Sequence, residues 1–171
     1  APAAETAARL EREGKTAMLV AAGGALRGVL ATADTIEPTA SEAVAGLQDR
    51  GIEVLLLTGD TERTAHAVAE RVGIEPANVR AEVLPEDKAD AVEAVQAAGR
   101  TAMMVGDGVN DAPALAVAAV GTAIGSGTDV AVEAADVTLL RDDPLDVVRA
   151  IRISAAKPAK IRQNLVWAPG Y

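Results

Sequence analysis

From about residue 32 onward the sequence alternates short apolar runs with helical segments, and this alternation limits the possible folds more than any other feature. Helical stretches near 39–50 and 62–72 each stop at a glycine, with apolar runs between them. The run Ile52–Leu57 is almost entirely apolar, as expected for a strand covered on both faces. The alternation predicts an α/β fold with a doubly wound, mostly parallel sheet.

Other segments continue the same pattern. Further strands are predicted at Val79–Val83, Thr101–Val105, Val120–Ile124 and Val137–Leu140, and shorter helices at Pro113–Ala118 and Val130–Ala134. Pro85 is predicted to open a helix that runs to about Ala98, because proline lacks only an N–H that the first helical position leaves unbonded. A last helix begins near Asp143.

The first 31 residues follow a different pattern. Helical composition at Glu5–Glu13 ends at Gly14. The apolar runs Thr16–Val20 and Leu26–Ala31, joined through two glycines, predict a β-hairpin.

Charge and residue counts exclude several classes of function. Sixteen basic and 25 acidic side chains give a net charge of −9, which argues against a nucleic-acid partner held by a basic surface. The chain has no cysteine and one histidine, so it lacks the usual parts of disulfides, thiolate metal sites and a Ser-His-Asp triad. Both aromatic residues, Trp167 and Tyr171, fall at the end of the chain, and the core must therefore be aliphatic.

The N-terminal residues 1–14 lack the apolar centre of a secretory signal peptide. No apolar stretch approaches the roughly 20 residues that a membrane-spanning helix needs. We therefore expect a soluble segment.

Polar residues follow the predicted strands, where parallel sheets bind ligands. Asp34 follows the first apolar run, Thr58-Gly59-Asp60 the second, and Gly106-Asp107-Gly108-Val109-Asn110-Asp111 the strand Thr101–Val105. Lys88 lies early in the helix between the last two. A hydroxyl, an amine and loop N–H groups can hold phosphoryl oxygens, and carboxylates can hold Mg²⁺. These types of residue suit phosphoryl transfer, although an isolated Thr-Gly-Asp is commonly a turn and an isolated lysine is commonly solvated.

Three motifs in this order, Thr58-Gly59-Asp60, Pro85-Glu86-Asp87-Lys88 and Gly106-Asp107-Gly108-Val109-Asn110-Asp111-Ala112-Pro113, resemble the later phosphorylation-domain motifs of P-type ATPases, which are ion pumps with a haloacid-dehalogenase-like core. The segments Ile124–Ala131 and Glu133–Asp136 are similar to the heavy-metal branch, and the tail from Ile161 is similar to copper exporters.

The resemblance implies roles for these residues. Thr58, Gly59 and Lys88 would hold the phosphoryl group of an aspartyl-phosphate, with Asp60 in the same catalytic motif. Asp107 would be a Mg²⁺ ligand. Asn110 and Asp111 would position the phosphoryl group, and Asp111 would also serve the metal and its water shell. The implied cofactors are Mg²⁺ and, in a full-length pump, ATP.

The resemblance also implies an organisation. Residues 1–31 would end a nucleotide-binding domain, 32–156 would form an incomplete phosphorylation domain, and 157–171 would be a linker and the start of a membrane helix. The partners would be the remaining N-terminal part of the same pump and a transported Cu⁺ ion. This segment would be cytoplasmic, and the full-length protein would reside in the cell membrane.

The nucleophilic aspartate of the family lies in Asp-Lys-Thr-Gly-Thr, which does not occur in these 171 residues. We therefore expect the chain alone to be inactive. One alternative is a small phosphatase of the same fold with Asp34 as nucleophile, although Ile36 stands where such enzymes carry a second acid. Another is a non-catalytic module that binds Mg²⁺ and phosphate.

Overall fold

The computed structural model describes residues 2–32, 35–125 and 128–155. Its helices are α1 (Pro2–Arg12), α2 (Ala40–Gln48), α3 (Glu62–Val72), α4 (Asp87–Ala97), α5 (Ala112–Val117), α6 (Asp129–Ala134) and α7 (145–155). Its strands are β1 (Thr16–Ala22), β2 (Ala25–Thr32), β3 (Leu56–Leu57), β4 (Val79–Arg80), β5 (Met103–Gly106), β6 (Val120–Ile124) and β7 (Val137–Leu139). Single 3₁₀ turns cover Pro76–Asn78 and Val109–Asp111.

The strands after the hairpin are all parallel. β5, β6 and β7 form one sheet in that order, and β3 pairs with β4 in a second. β1 and β2 form the predicted antiparallel hairpin, with Thr16 opposite Thr32 at its open end. The predicted α/β class with parallel strands is confirmed.

Several predicted boundaries are wrong. The strand predicted at Val79–Val83 covers only Val79–Arg80, and the strand predicted at Thr101–Val105 covers Met103–Gly106. The strand predicted at Ile52–Leu57 is hydrogen-bonded only at Leu56–Leu57, because its partner β4 is itself two residues long. The helix predicted to open at Pro85 begins at Asp87. Pro85 lies instead in a turn that is closed by a 3.0 Å hydrogen bond from the Asp87 N–H to the Leu84 carbonyl.

Local sequence signals determine both ends of helix α3. Thr61 caps its N-terminus by accepting a hydrogen bond from the Thr64 N–H. Gly73 ends it in the left-handed conformation, with φ of +83°, which glycine adopts without steric cost. The helix buries the face that carries Ala65 and Ala69.

The core is aliphatic throughout the described residues. One cluster joins α2, α3 and β4 and consists of Val44, Ala65, Ala69, Val72, Ile74 and Val79. Elsewhere, Ala114, Leu115, Ala123 and Ala131 are at most 1% exposed. Fully burying a side chain such as Leu115 contributes roughly 1.5–3 kcal/mol.

Helix α5 packs unusually close to β6. A Cβ built on Gly121 would lie 2.4 Å from the Leu115 carbonyl oxygen. The backbone of Gly121 is also paired with Asp136: its N–H donates to the Asp136 carboxylate at 2.9 Å, and its carbonyl accepts the Asp136 N–H at 2.8 Å. Only glycine allows this approach, which places the helix that follows the acidic loop.

A network of hydrogen bonds and ion pairs joins the start of α2 to the start of α7. The Thr39 hydroxyl donates to Asp143 at 2.8 Å, and Arg149 contacts the same carboxylate at 2.9 Å. Hydrogen bonds from Arg141 and Arg149 lower the pKa of Asp146 to about 2. The hydrogen bond from Thr39 lowers the pKa of Asp143.

The residues 2–32, here called the N-terminal module, comprise α1 and the hairpin. The module meets α3 through an ion pair between Arg63 and Glu11 and through a 3.2 Å hydrogen bond from the Thr64 hydroxyl to the Lys15 carbonyl. The hairpin exposes several large apolar side chains, with Leu19 58% and Leu30 55% exposed.

In the part of the chain that the structure describes, no helix has the length and apolar character needed to cross a membrane. The predicted linker and membrane-helix start at 157–171 lie outside the described residues. The division into domains predicted from the resemblance therefore stays a prediction.

Candidate functional site

The segment Thr58-Gly59-Asp60 directly follows β3 and is held by the strand beside it. The Thr58 N–H donates to the Arg80 carbonyl at 3.0 Å, and the Thr58 carbonyl accepts the Val83 N–H at 3.1 Å. The Asp60 carbonyl accepts the Glu82 N–H at 2.8 Å. The loop is thus anchored at both ends to the chain segment that leads into α4.

Glu82 has a φ of +56°, which places a residue with a side chain in the left-handed region. Such a conformation costs about 1–2 kcal/mol. The hydrogen bonds on either side of Glu82 oppose that cost and keep the backbone of the Thr58 loop in place.

The side chains of this loop bond to one another and to the hairpin. The Thr58 hydroxyl donates to Asp60 Oδ2 at 3.1 Å and accepts the Asp60 N–H at 3.1 Å. The other carboxylate oxygen, Asp60 Oδ1, accepts a 3.1 Å hydrogen bond from the Thr16 hydroxyl at the start of β1. Asp60 is therefore a bridge between the Thr58 hydroxyl and the N-terminal module.

The second and third motifs meet at an ion pair. Lys88 Nζ lies 2.7 Å from Asp111 Oδ1, although 23 positions separate the two residues. Their side chains are only 16% and 11% exposed. A short, largely buried pair of this kind is stronger than a surface ion pair, because water screens it less.

Two glycines make room for Asp111. A Cβ on Gly106 would lie 2.7 Å from the Asp111 Cβ and 2.8 Å from its Oδ2. The Gly108 N–H points to the same oxygen at 3.4 Å, and the Asp111 N–H returns a 3.1 Å hydrogen bond to the Gly108 carbonyl. The loop after β5 therefore wraps around the Asp111 carboxylate.

Asp107 and Asn110 are exposed on the same loop. Among the residues that the structure describes, no donor bonds the Asp107 carboxylate. The backbone carbonyl of Asp107 accepts the Thr128 N–H at 3.2 Å, which joins the loop to the start of α6. Asp107 thus offers carboxylate oxygens that no donor of the described residues occupies, on the loop that carries Asp111.

The structure brings Lys88 and Asp111 into contact and places Asp107 and Asn110 on the loop that carries Asp111. It does not join Thr58 or Gly59 to this pair by a hydrogen bond within the described residues. Over the same residues, no group of three or more His, Cys, Asp or Glu side chains could hold a metal ion alone. Open clefts of about 460 and 520 Å³ lie along α3, away from the Lys88–Asp111 pair.

Thr16 and Thr128 contact the site but were not predicted from the sequence. Thr16 is 44 positions from Asp60, and no motif or spacing marks it. The contact of Thr128 with Asp107 has a weak local signal, because a threonine before Asp129 is a common helix cap.

Asp34 lies outside the described residues. Ile36, at the position where a phosphatase would need its second acid, packs against the apolar core. An apolar core residue therefore stands where such a phosphatase carries its second acid.

Comparison with known proteins identifies the family of the chain. A family model described as haloacid dehalogenase-like hydrolase matches residues 2–119. A copper-exporting P-type ATPase of Bacillus subtilis (strain 168) is 53% identical over 162 residues, or 95% of this chain and 20% of that protein. One of Staphylococcus aureus (strain JH9) is 52% identical over 94% of this chain and 20% of its own length. The chain therefore spans about a fifth of these relatives.

Solved structures of ATPases also superpose on this chain. A zinc-transporting PIB-type ATPase in the E2.Pi state superposes with a TM-score of 0.78 at 41% identity, over 98% of this chain and 27% of that one. The catalytic domain of a CPx-ATPase superposes with a TM-score of 0.62 at 28% identity, over 74% and 48% of the two chains.

Proposed function

The chain belongs to the haloacid dehalogenase-like hydrolase family, and from this membership we propose that it is the phosphoryl-binding part of a heavy-metal-transporting P-type ATPase. The observation that carries the proposal is the Lys88–Asp111 pair, which is 2.7 Å long and largely buried. It holds an ammonium group against a loop that carries two carboxylates, which supports a role in binding phosphoryl oxygens. An isolated solvated lysine would not be held in this way.

In the proposed site, the Lys88 ammonium, the Gly59 N–H and the Thr58 hydroxyl bind phosphoryl oxygens. Asp107, with Asp111 beside it, would hold Mg²⁺, which in proteins commonly takes one or two carboxylates and completes its shell with water and phosphate oxygens. The absence of a three-carboxylate cluster in the described residues suits that chemistry. When bound, Mg²⁺ would neutralise part of the negative charge of the phosphoryl group. Asn110 would orient the phosphoryl group from the same loop.

The 171 residues include no Asp-Lys-Thr-Gly-Thr. In the proposed function the aspartyl-phosphate forms on another part of the same pump, which is this chain's partner, and ATP is its source. Incubated alone with ³²P-labelled ATP and Mg²⁺, the chain should yield no acid-stable phosphoenzyme. A labelled chain would contradict this assignment and would favour the alternative phosphatase with Asp34 as nucleophile.

Copper(I) is the transported ion we propose, since the relatives at 52–53% identity are copper exporters. A chimera tests the function: this chain replaces the matching segment of the Bacillus subtilis exporter. We expect Cu(I)-stimulated ATP hydrolysis, lost with Lys88→Ala or Asp107→Asn and retained with Glu86→Gln as the matched control. A correctly inserted chimera without hydrolysis, or one that keeps full activity with Lys88→Ala, would refute the proposal.

A further inference from the structure

The N-terminal module is hydrogen-bonded to the Thr58 loop through the Thr16 side chain. Thr16, the first residue of β1, donates its hydroxyl to Asp60 Oδ1 at 3.1 Å. The other oxygen of that carboxylate accepts the Thr58 hydroxyl at 3.1 Å. Thr16 and Thr58 thus share one acceptor group, although they belong to different parts of the fold.

The shared acceptor matters because a threonine hydroxyl can donate only one hydrogen bond. In this structure the Thr58 hydroxyl donates its hydrogen bond to Asp60. To donate to a phosphoryl oxygen, the Thr58 hydroxyl must turn away from Asp60. The partly buried carboxylate would then lose a donor, which is costly unless another donor remains.

We propose that Thr16 is a positioning residue for phosphoryl binding: its hydrogen bond keeps the Asp60 carboxylate satisfied when the Thr58 hydroxyl turns to a phosphoryl oxygen. This inference rests on the proposed function of the Thr58 loop. It adds a residue from outside the motifs, and it makes Asp60 a group that acts through Thr58 rather than on the phosphoryl group.

Contacts on both sides of Thr16 hold it in place. The Lys15 carbonyl accepts a 3.2 Å hydrogen bond from Thr64, which is 3% exposed. Arg63 pairs with Glu11 on the helix before the hairpin. A displacement of the N-terminal module therefore withdraws Thr16 from Asp60 and weakens phosphoryl binding at the Thr58 loop.

The test is an NMR titration of the full chain with inorganic phosphate in the presence of Mg²⁺, followed at the Thr58 and Gly59 amides. Thr16→Val removes the hydroxyl at nearly constant volume and should weaken phosphate binding by about tenfold, because the partly buried Asp60 carboxylate is left without a donor when Thr58 turns to phosphate. Thr16→Ser restores the donor and should recover the binding. A merely structural role would not distinguish valine from serine in this way.

Thr32→Val is the matched control, because Thr32 lies directly opposite Thr16 in the hairpin and has no hydrogen bond to the loop within the described residues. It should bind phosphate as the wild type does. If Thr16→Val misfolds, Thr16→Ala takes its place. Wild-type binding with an equal affinity for Thr16→Val overturns this inference alone, whereas no wild-type shift at Thr58 and Gly59 overturns the proposed function and the inference together.

Discussion

Breaking the Lys88–Asp111 pair should destabilise the fold, and the size of the effect follows from its burial. Lys88→Met keeps most of the side-chain volume but leaves the Asp111 carboxylate, which is 11% exposed as a side chain, without its cation. Removing one partner of a fully buried pair costs about 3–5 kcal/mol, and an exposed pair contributes about 0–1 kcal/mol. This pair is mostly but not fully buried, so we expect a loss of about 2–3 kcal/mol.

A double-mutant cycle separates the pair from the packing of its members. Asp111→Asn should cost less than Lys88→Met, about 1–2 kcal/mol, because the long lysine stem lets the ammonium turn to water. The double variant should cost about 2 kcal/mol, clearly less than the sum of the single changes, since it buries no uncompensated charge. Arg9→Met is the control: Arg9 pairs with Glu13 at the surface with 58% and 40% exposure, and its loss should change stability by less than about 0.5 kcal/mol.

Urea unfolding followed by far-ultraviolet circular dichroism measures these free energies. A loss of 2–3 kcal/mol corresponds to a fall in Tm of roughly 5–10 °C for a chain of this size. Additive single changes, within about 0.3 kcal/mol, would show that Lys88 and Asp111 do not interact and would refute the account of the site.

Three further predictions concern stability. Thr122 is 2% exposed and its hydroxyl has no hydrogen-bond partner among the described residues, so Thr122→Val should stabilise the chain by about 1 kcal/mol in urea unfolding; a destabilised variant would reveal a hidden partner. Gly121→Ala places a Cβ 2.4 Å from the Leu115 carbonyl oxygen and should lower the free energy of unfolding by about 2–3 kcal/mol, whereas an unchanged Tm would contradict that close approach. The folded pKa of Asp146 is about 2 against 3.8 for the free group, so its stabilisation is present above pH 4 and is lost as the pH falls towards 2; Arg141→Gln should flatten the acid side of the stability profile there, and an unaltered profile would argue against the pair.

The elements with strong local signals could be predicted to the residue. Helix α3 begins after the cap Thr61 and ends before Gly73, and both signals are local in sequence. Strand β6 has the predicted bounds Val120–Ile124, and Gly125 directly follows its last residue.

The elements that depend on distant partners could not be bounded in this way. The length of β3 is set by β4, which pairs with it at Val79 and Arg80, and nothing in the apolar run of residues 52–57 contains that information. The start of α4 depends on whether Pro85 joins the helix or the preceding turn, and both are compatible with the fixed φ of proline.

The same distinction between local signals and distant contacts applies to the candidate site. Motif order indicated that Lys88 and the acidic loop belong to one site, and the structure places Lys88 against Asp111. The contact of Thr16 with Asp60 could not be predicted, because it joins a strand start to a loop 44 positions away with no pattern in common. It arises from the packing of α1 on α3, which is a property of the whole fold.

The most direct test of the central claim is to locate the cation site by NMR, with Mn²⁺ as a paramagnetic stand-in for Mg²⁺, since both prefer octahedral oxygen ligands. In the presence of phosphate, we predict that line broadening centres on the amides of Asp107 and Asp111 and extends to Thr58 and Gly59. Asp107→Asn should abolish this pattern. Broadening centred instead on the carboxylates Asp143 and Asp146, or spread evenly over the surface, would contradict a shared magnesium and phosphoryl site.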